Sequence, residues 1–357
     1  MADVVAVGRR YVREVGSALK VADPPLSTFP EIRATPLEAL RDVEMPGELH
    51  FVRNHFAVPN VDAESWRLQV GGAVREAVVL SLDDLKGMGE TTIPVTLECA
   101  GHRRAEFQPP TSGVQWDAGA VAEAHWTGVV LGEVLRRAKP SAGACEVAFV
   151  GADSGTHAAS GEHVNFARSI PLEQALEGDV LLAWAMNGQP LPARHGAPLR
   201  VIVPGSYAVA SVKWLERIDV LEDAFEGTFQ TQDYRVDGES IQQLNVNALI
   251  TSPAAGVVVA SGMLRVSGVA WGGQGGIERV EVRVAGQAWQ RASLTTPHPP
   301  YGLTHWRTAI PGVLRGDQTI EVRARDETGR VQPARARWNA LGYANNGTHR
   351  VHVTAVD

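Results

Sequence analysis

One cysteine stands where its thiol could do chemistry. The apolar, strand-like run 95–98 leads into Cys99. A glycine follows at position 101, and Arg103 and Arg104 come directly after the next residue. Fixed cations near a cysteine favour its thiolate, which is both a nucleophile and a soft metal ligand. A free cysteine in a strand can also be a small buried core residue, but the glycine turn and the two arginines favour a site that handles anions.

Donor-rich segments occur on both sides of this cysteine. Residues 51–55 read Phe-Val-Arg-Asn-His, a compact set of donors that suits an anionic ligand bearing phosphate and ring heteroatoms. Taken alone, the segment would equally fit a surface loop with a solvated arginine. Residues 181–204 read as a strand, an Asn-Gly turn, a proline-rich loop and a second strand, which together present His195 and Arg200. Asp153 follows a buried strand and by itself fits a turn or cap residue.

The composition bounds the classes of function. The chain has 357 residues, enough for two domains with substantial cores. Its net charge of -7 gives no electrostatic support for nucleic-acid binding, so an anion site must be a local basic cluster. The two cysteines, Cys99 and Cys145, do not make a disulfide framework, and no apolar run approaches the length of a membrane span. We therefore expect a chain that binds neither nucleic acid nor a membrane.

The N-terminus carries a pair of arginines, Arg9-Arg10, of the kind found in export signals. Charged residues at Arg13, Glu14 and Lys20 occupy the stretch that such a signal keeps apolar. We expect a cytoplasmic chain, the alternative being a periplasmic protein whose signal has been removed.

The pattern of apolar residues divides the chain. Residues 1–45 are rich in proline and predict a surface arm, in which the run 35–38, Thr-Pro-Leu-Glu, is typical of a helix start. Residues 46–242 mix short apolar strands with helical pieces and predict an α+β domain. The predicted helices and buried strands are 82–86, 131–138, 147–150, 181–184 and 199–203.

After residue 243 the pattern changes to strict alternation. Valine, isoleucine and alanine alternate with charged residues over 280–284, 320–325 and 351–353, which indicates antiparallel strands of an all-β sandwich. The glycine-rich run 272–276 lacks the spacing of a phosphate loop, so we assign it to a loop with no nucleotide role.

Together these motifs resemble those of the sulfite oxidase family of molybdopterin oxidoreductases. Residues 99–104 read Cys-Ala-Gly-His-Arg-Arg, where the family has Cys-Ala-Gly-Asn-Arg-Arg. The family also has Phe-Val-Arg-Asn-His, as at 51–55, and Gly-x-x-Trp-x-x-Gly-Ala, as at 113–120. It continues with Met-Asn-Gly-Gln-x-Leu-Pro and then His-Gly-x-Pro-x-Arg, as at 186–200. The resemblance extends over roughly residues 45–357.

The resemblance implies an α+β fold class with three parts. Residues 1–45 would form the N-terminal arm and residues 46–242 a mixed α/β molybdopterin-binding oxidoreductase domain. Residues 243–357 would form an all-β, immunoglobulin-like dimerisation domain, so the chain looks like a homodimer. It is similar to bacterial, haem-free members, with a molybdenum–molybdopterin cofactor (Mo-co) and no haem.

The resemblance also implies roles for individual residues. Cys99 would ligate the molybdenum. The cofactor-binding residues carried over by resemblance are Phe51, Val52, Arg53, Asn54, His55, Asp153, His195, Arg200, Ser211, Val212 and Lys213. Arg53 and Arg104 would hold a small oxyanion substrate. Trp116 would form a wall of the substrate pocket, and His102 would assist proton transfer.

Two positions depart from the sulfite-oxidising pattern. Where such members place a tyrosine shortly before Ser-Ile-Pro, the aligned residue is Phe166, and no tyrosine occurs between residues 151 and 206. Where they bring a second-domain arginine to the pocket after Trp-Asn-Leu, this chain has Leu341. We expect a pocket that is less cationic and more apolar than a sulfite site, and weak oxidation of sulfite.

The implied function is oxo transfer, from sulfite to sulfate, with an external electron acceptor. The alternative within enzymes is reductive oxo transfer, as in nitrate or sulfoxide reductases, with an external electron donor. A different class, a non-catalytic immunoglobulin-like interaction protein, would explain the C-terminal sandwich alone.

Overall fold

The computed structural model describes residues 26–273, 275–295 and 300–357, so the Arg9-Arg10 pair lies outside the described residues. The α-helices are α1 (Leu82–Lys86), α2 (Leu131–Ala138), α3 (Leu172–Glu177) and α4 (Thr228–Thr231). Short 3-10 helices are Leu37–Arg41, Gly47–Leu49, Arg104–Glu106, Ala193–His195 and Ala208–Ala210. No helix in the described ranges is long and apolar enough to cross a membrane.

The first fifteen strands belong to the arm and the first domain. In chain order they are β1 (Ser27–Thr28), β2 (Glu31–Arg33), β3 (Val52–Arg53), β4 (Leu68–Gly72), β5 (Val78–Leu80), β6 (Thr91–Glu98), β7 (Val121–Val130), β8 (Glu146–Thr156), β9 (His163–Pro171), β10 (Leu181–Met186), β11 (Gln189–Pro190), β12 (Arg200–Ile202), β13 (Leu215–Leu221), β14 (Arg235–Val236) and β15 (Glu239–Ser240). The predicted helices and buried strands all fall on elements of the matching type.

Two five-stranded sheets form the first domain. One runs β5-β4-β13-β8-β9, with a parallel β4–β13 pair, and the other runs β11-β10-β7-β6 with β12 added to β10. The predicted mixed α+β character is thus confirmed. Helix α2 buries Val134, Leu135 and Ala138 and turns Arg136 and Arg137 outward, the stripe expected of a helix lying on a sheet.

The arm reaches the donor-rich segment. Strand β2 pairs with β3, which sets Ile32 opposite Arg53 and so fixes the backbone of that segment. The predicted helix start at 35–38 is present, but its type and its cap differ from the prediction. The arm forms a 3-10 helix, Leu37–Arg41, whose N-cap is Pro36 without a side-chain cap, while the backbone N–H of Thr35 donates to Gly119 instead. Thr35 therefore anchors the arm to the first domain and caps nothing.

The remaining nine described strands build the C-terminal part. They are β16 (Asn247–Ser252), β17 (Val258–Ala260), β18 (Gly262–Trp271), β19 (Ile277–Val284), β20 (Gln290–Arg291), β21 (Ser293–Leu294), β22 (Thr304–Val313), β23 (Gly316–Asp326) and β24 (His349–Val356). Sheets β16-β18-β22-β21 and β17-β24-β23-β19-β20 enclose one apolar core. The alternating valines of β19 and β24 point into it, as predicted. One pair, β17–β24, is parallel, which the alternation did not indicate.

Strand β6 carries the cysteine loop and is an edge strand, which tolerates Pro94. The second domain covers part of this edge, because the backbone N–H of Thr96 donates to the carbonyl oxygen of Tyr301 at 2.8 Å. At the end of the strand, buried Glu98 accepts hydrogen bonds from the indole of Trp271 at 2.8 Å and the amide of Asn247 at 3.3 Å. The cysteine loop is therefore held from both domains.

Candidate active site

One cavity gathers most of the predicted site residues at the end of β6. Its wall consists of His50, Phe51, Arg53, Asn54, His55, Leu97, Cys99, Ala100, Asp153, Phe166, His195, Arg200, Ala208, Val209, Ser211, Lys213, Trp214 and Tyr234. Five predicted residues are not in this wall: Val52, His102, Arg104, Trp116 and Val212. The structure therefore brings together residues from six separate stretches of the sequence.

Cys99 occupies a fixed position in this wall. Its N–H donates to Ala120 at 2.9 Å, and its carbonyl oxygen accepts from the N–H of His102 at 2.8 Å, which closes the turn. Burial raises the pKa of the Cys99 thiol, and Arg53 and Arg104 oppose this shift only in part. Both arginines lower the thiol pKa and so favour the thiolate, as predicted, but burial is the larger effect.

The two adjacent arginines point in different directions, because Arg103 adopts a left-handed backbone conformation with φ 56°. The Arg103 guanidinium is buried against the second domain, where it donates to the carbonyl oxygen of Gly347 at 2.7 Å. It also forms an ion pair with Glu106 at 2.6 Å. Arg103 is therefore part of the domain junction, and of the two only Arg104 remains a candidate for anion binding.

Arg104 is held rigidly beside the cavity. Its Nε donates to the carbonyl oxygen of Leu341 at 3.1 Å, and its Nη1 donates to Val114 at 3.0 Å. Its guanidinium carbon lies 5.0 Å from the centre of the Tyr343 ring. A Cβ at Gly101 would come within 2.8 Å of the guanidinium, so glycine is required for this close approach. Sulfite-oxidising members of the family have an arginine where this chain has Leu341. Leu341 instead contributes its backbone carbonyl oxygen, which accepts from Arg104.

Four buried polar atoms in the cavity wall have no hydrogen-bond partner in the described part of the chain. They are His50 Nε2, Asn54 Nδ2, Asp153 Oδ1 and His195 Nε2. Buried polar groups are nearly always hydrogen-bonded, so a cluster of unsatisfied donors and acceptors marks the position of a polar ligand. The amide nitrogen of Asn54 faces the cavity because its oxygen accepts from Lys213.

The charge of the cavity is positive. Arg53, Arg200 and Lys213 line it, against one carboxylate, Asp153. Burial lowers the pKa of Arg200 to about 9 and that of Lys213 well below its usual value, whereas burial raises the pKa of Asp153 to about 7. Each of these shifts reflects a charge that has lost water, and an anionic ligand would supply the missing counter-charge. A pterin cofactor fits this site, because its ring heteroatoms can pair with the unsatisfied polar atoms and its phosphate can pair with the cations.

Two of the predicted cofactor-binding residues, Arg200 and Ser211, also make structural contacts. The guanidinium of Arg200 donates to the carbonyl oxygens of His195 and Ser211, both at 3.0 Å, and lies over the ring of Trp126. The hydroxyl of Ser211 accepts from the N–H of Val203 at 3.0 Å. These contacts fix the loop after β12. The side chains of Val52 and Val212 are buried away from the cavity, so these two residues can contribute only backbone groups.

The structure brings a tyrosine to the pocket from outside the segment 151–206, which contains none. Tyr234, which follows α4 and has a left-handed φ of 52°, lines the cavity with Cys99. Its hydroxyl lies 2.7 Å from Nε2 of His55. Phe166 instead stacks on His55, with ring centres 4.7 Å apart, and packs on Phe229 at the same distance. Sequence reasoning missed Tyr234 because its surroundings carry no pattern that separates it from a core tyrosine.

Two predicted catalytic residues lie elsewhere. His102 is fully buried, its ring 5.7 Å from that of Trp271, and neither ring nitrogen has a partner among the described residues. Its side chain thus belongs to the domain junction and not to the cavity wall, so a role in proton transfer is not supported. Trp116 is also fully buried and packs edge-on against Phe51, behind the wall, with its indole N–H unsatisfied. In the described ranges no group of three or more His, Cys, Asp or Glu side chains could hold a metal ion.

The fold and the cavity define a molybdopterin-dependent oxidoreductase. The chain matches the family descriptions "oxidoreductase molybdopterin binding domain" over residues 55–229 and "Mo-co oxidoreductase dimerisation domain" over residues 238–356. Sulfite oxidase of Gallus gallus is 36% identical over 335 residues, which cover 85% of this chain and 72% of that protein. The chain belongs to the sulfite oxidase family. This result excludes the interpretation as a non-catalytic interaction protein.

Further similarities agree with this assignment. Mitochondrial sulfite oxidase of Mus musculus is 37% identical over 341 residues, covering 87% of this chain, and the chain spans 61% of the length of that relative. The crystal structure of the sulfane dehydrogenase SoxCD from Paracoccus pantotrophus superposes with a TM-score of 0.80 at 29% identity, covering 94% of this chain and 86% of that one.

Proposed function

We propose that this protein oxidises sulfite to sulfate with a molybdenum–molybdopterin cofactor and passes the electrons to an external acceptor. The observation that carries the proposal is the cavity itself. It places the Cys99 thiol, a soft metal ligand, in one wall with Arg53 and the hydroxyl of Tyr234. A bound molybdenum cofactor supplies the two-electron oxo-transfer chemistry, and the protein supplies binding, orientation and charge.

The residues divide into two groups under this proposal. Cys99 would hold the metal, and Arg200 and Lys213 would hold the phosphate of the pterin, because both are cations withdrawn from water. The full cofactor set consists of Phe51, Arg53, Asn54, His55, Asp153, His195, Arg200, Ser211 and Lys213, with backbone groups of Val52 and Val212.

Arg53 and Arg104 orient the substrate oxyanion in this proposal. Arg53 lies in the cavity wall, and Arg104 is fixed in one orientation beside it by two carbonyl acceptors. Tyr234 keeps its proton, because burial raises the pKa of its hydroxyl strongly. In this proposal Nε2 of His55 donates to the phenol oxygen, which leaves the O–H of Tyr234 free to donate toward the reacting oxygen.

Metal and cofactor analysis of three proteins tests the assignment. Wild type from a host that makes the cofactor is expected to contain about one molybdenum and one pterin per chain and to oxidise sulfite. Cys99→Ser should lose oxo-transfer activity and keep its fold, since a hard hydroxyl replaces a soft thiolate. Cys145→Ser, at an exposed free cysteine, is the matched control and should keep both. Equal behaviour of the two variants would contradict the metal-ligand assignment.

The same wild-type preparation distinguishes the substrates. Sulfite, nitrate, a sulfoxide and a sulfane compound are assayed with artificial electron donors and acceptors. Oxidation of sulfite, with no activity on the other three compounds, supports the proposal. Reduction of nitrate or of the sulfoxide without sulfite oxidation would favour the reductive alternative, and oxidation of the sulfane compound alone would favour a sulfane dehydrogenase.

Assembly and location complete the proposal. The match to a dimerisation domain supports a homodimer formed by residues 243–357. A monomer in sedimentation at micromolar concentration would contradict it. The immunoglobulin-like character of this sandwich, the lack of haem and a cytoplasmic location, with the periplasm as alternative, remain predictions.

A further inference from the structure

His50 precedes the donor-rich segment and was not assigned any role from the sequence. It follows the 3-10 helix Gly47–Leu49, and its side chain is buried, with 3% of its surface exposed. Its Nδ1 lies 3.1 Å from the carbonyl oxygen of Phe51. Its Nε2 is buried in the cavity wall and has no hydrogen-bond partner among the described residues. One ring nitrogen is therefore satisfied by the protein and the other faces the ligand space.

The partner of Nδ1 fixes the tautomer of His50. A carbonyl oxygen only accepts, so Nδ1 carries the proton in this contact. Burial, together with the nearby charges of Arg200 and Lys213, lowers the pKa of His50 to about 3, so the ring stays neutral. A neutral ring with a proton on Nδ1 has a lone pair on Nε2. The cavity wall thus presents a hydrogen-bond acceptor at this point.

Aromatic contacts fix the orientation of the ring. His50 stacks on Phe51 with ring centres 5.0 Å apart, and its edge meets Trp126 at 5.8 Å. The ring of His195, the residue carried over as a pterin ligand, lies 5.4 Å away. These neighbours leave the imidazole little freedom to turn Nε2 away from the cavity.

We propose that His50 is a further cofactor-binding residue, which accepts a hydrogen bond at Nε2 from a ring N–H or amino group of the pterin. The inference rests on the proposed cofactor. An acceptor would repel the oxygens of a phosphate, so His50 contacts the heterocycle, while Arg200 and Lys213 are suited to the phosphate. The unsatisfied oxygen of Asp153 is a second acceptor, and the amide nitrogen of Asn54 a donor, for the same kind of ligand.

Two substitutions separate ligand binding from structural support. In His50→Asn the amide nitrogen can replace Nδ1 and keep the bond to Phe51, but the side chain is too short to reach the position of Nε2. In His50→Gln the terminal oxygen reaches that position and supplies an acceptor. His125→Asn, at a partly buried histidine outside the cavity wall, is the control.

The measurement is retention of the cofactor by the purified holoenzymes. Molybdenum per chain and the fluorescence of the released, oxidised pterin are followed through dilution and gel filtration, with no assay of activity. Loss of one hydrogen bond predicts roughly three- to tenfold faster release from His50→Asn, with release from His50→Gln and the control close to wild type. Cofactor-free forms of all proteins, made in a host that lacks the cofactor, should unfold at similar temperatures.

Each outcome decides a separate question. If His50→Asn and His50→Gln both release the pterin like wild type, the role of His50 is overturned, although the cofactor assignment stands. If both variants lose the pterin and their cofactor-free forms are also destabilised, His50 supports the fold and the inference is overturned. If wild type carries neither molybdenum nor pterin, the proposed function itself is wrong.

Discussion

The hydroxyl of Tyr234 lies 2.7 Å from Nε2 of His55, and the other face of that imidazole is covered by Phe166. The tyrosine is held from behind by buried Arg168, whose guanidinium lies 5.9 Å from the centre of its ring. Tyr234 therefore brings a phenol to the pocket, although the position aligned with the family's tyrosine is Phe166. It also explains how a phenylalanine can occupy position 166 without leaving the pocket entirely apolar.

Tyr234→Phe should lower the turnover of sulfite by about tenfold to a hundredfold and change its KM little. The variant keeps the ring that packs on Tyr343 and loses the hydroxyl that we propose donates toward the reacting oxygen. Steady-state kinetics on molybdenum-loaded protein, normalised to metal content, measure the effect. Tyr343→Phe is the matched control and should keep at least half of the wild-type turnover.

Phe166→Tyr should not raise turnover, since the site already has a phenol and the ring of Phe166 is held in contact with His55 and Phe229. A clear gain in turnover from Phe166→Tyr, together with no loss from Tyr234→Phe, would show that the hydroxyl of Tyr234 takes no part in the reaction.

Leu341→Arg should lower the KM for sulfite. The residue is half-buried and its carbonyl oxygen already touches Arg104, so an added guanidinium enters the neighbourhood of the anion site. A charge-assisted contact is worth roughly 1.5–3 kcal/mol, which predicts a decrease of about tenfold to a hundredfold at low salt. The gain should shrink as ionic strength rises. Leu341→Met is the neutral control, and an unchanged KM in Leu341→Arg would place the side chain outside the pocket.

The adjacent arginines should respond differently to the same change. Arg104→Lys removes the planar group that meets two carbonyl oxygens, and it should raise the KM for sulfite by about tenfold or more, with a smaller loss of stability than the Arg103 variant. Arg103→Lys breaks buried contacts with the second domain, and it should lower the free energy of unfolding by about 2–3 kcal/mol. Kinetics and denaturant unfolding on both variants make the comparison. Interchanged effects would contradict the assignment of the two side chains.

Glu123 should make stability depend on pH. Its carboxylate accepts from the N–H of Leu303 in the second domain, and burial raises its pKa from 4.5 to about 7. Below pH 4.5 the carboxyl is protonated in both states, so it contributes no pH dependence there. Between pH 4.5 and about 7 the unfolded chain releases the proton first, so stability falls as pH rises. The loss in the free energy of unfolding reaches its full value above about pH 7 and is at most about 3 kcal/mol.

Glu123→Gln keeps an acceptor for Leu303 and removes the titration. Its stability relative to wild type should therefore increase from near zero at about pH 4 to about 1–3 kcal/mol at about pH 8. Denaturant unfolding across this range measures the difference. Glu133→Gln, at an exposed carboxylate paired with Arg136, is the matched control. A flat difference for Glu123→Gln would show that the carboxyl has the same pKa in the folded and the unfolded chain.

Much of the fold could be predicted because its signals are local. Helix α2 has the predicted bounds, 131–138, and the valines of β19 alternate as the sequence indicates. Both patterns depend on backbone periodicity, which a short window of sequence contains. The parallel β17–β24 pair was not predictable in this way, because strands far apart in sequence pair only once the sheet has formed.

The sequence by itself determined which chemical groups are present and which family they indicate: a cysteine thiol at position 99, followed by cations, with the family motifs in a fixed order. Only the tertiary structure decided which of these groups face the ligand. The tertiary structure directs the side chains of Arg103 and His102 toward the domain junction, and it places Tyr234 and His50 in the cavity wall. The physical reason is that residue type and spacing are local properties, whereas the direction of a side chain and the residues that it contacts depend on long-range packing.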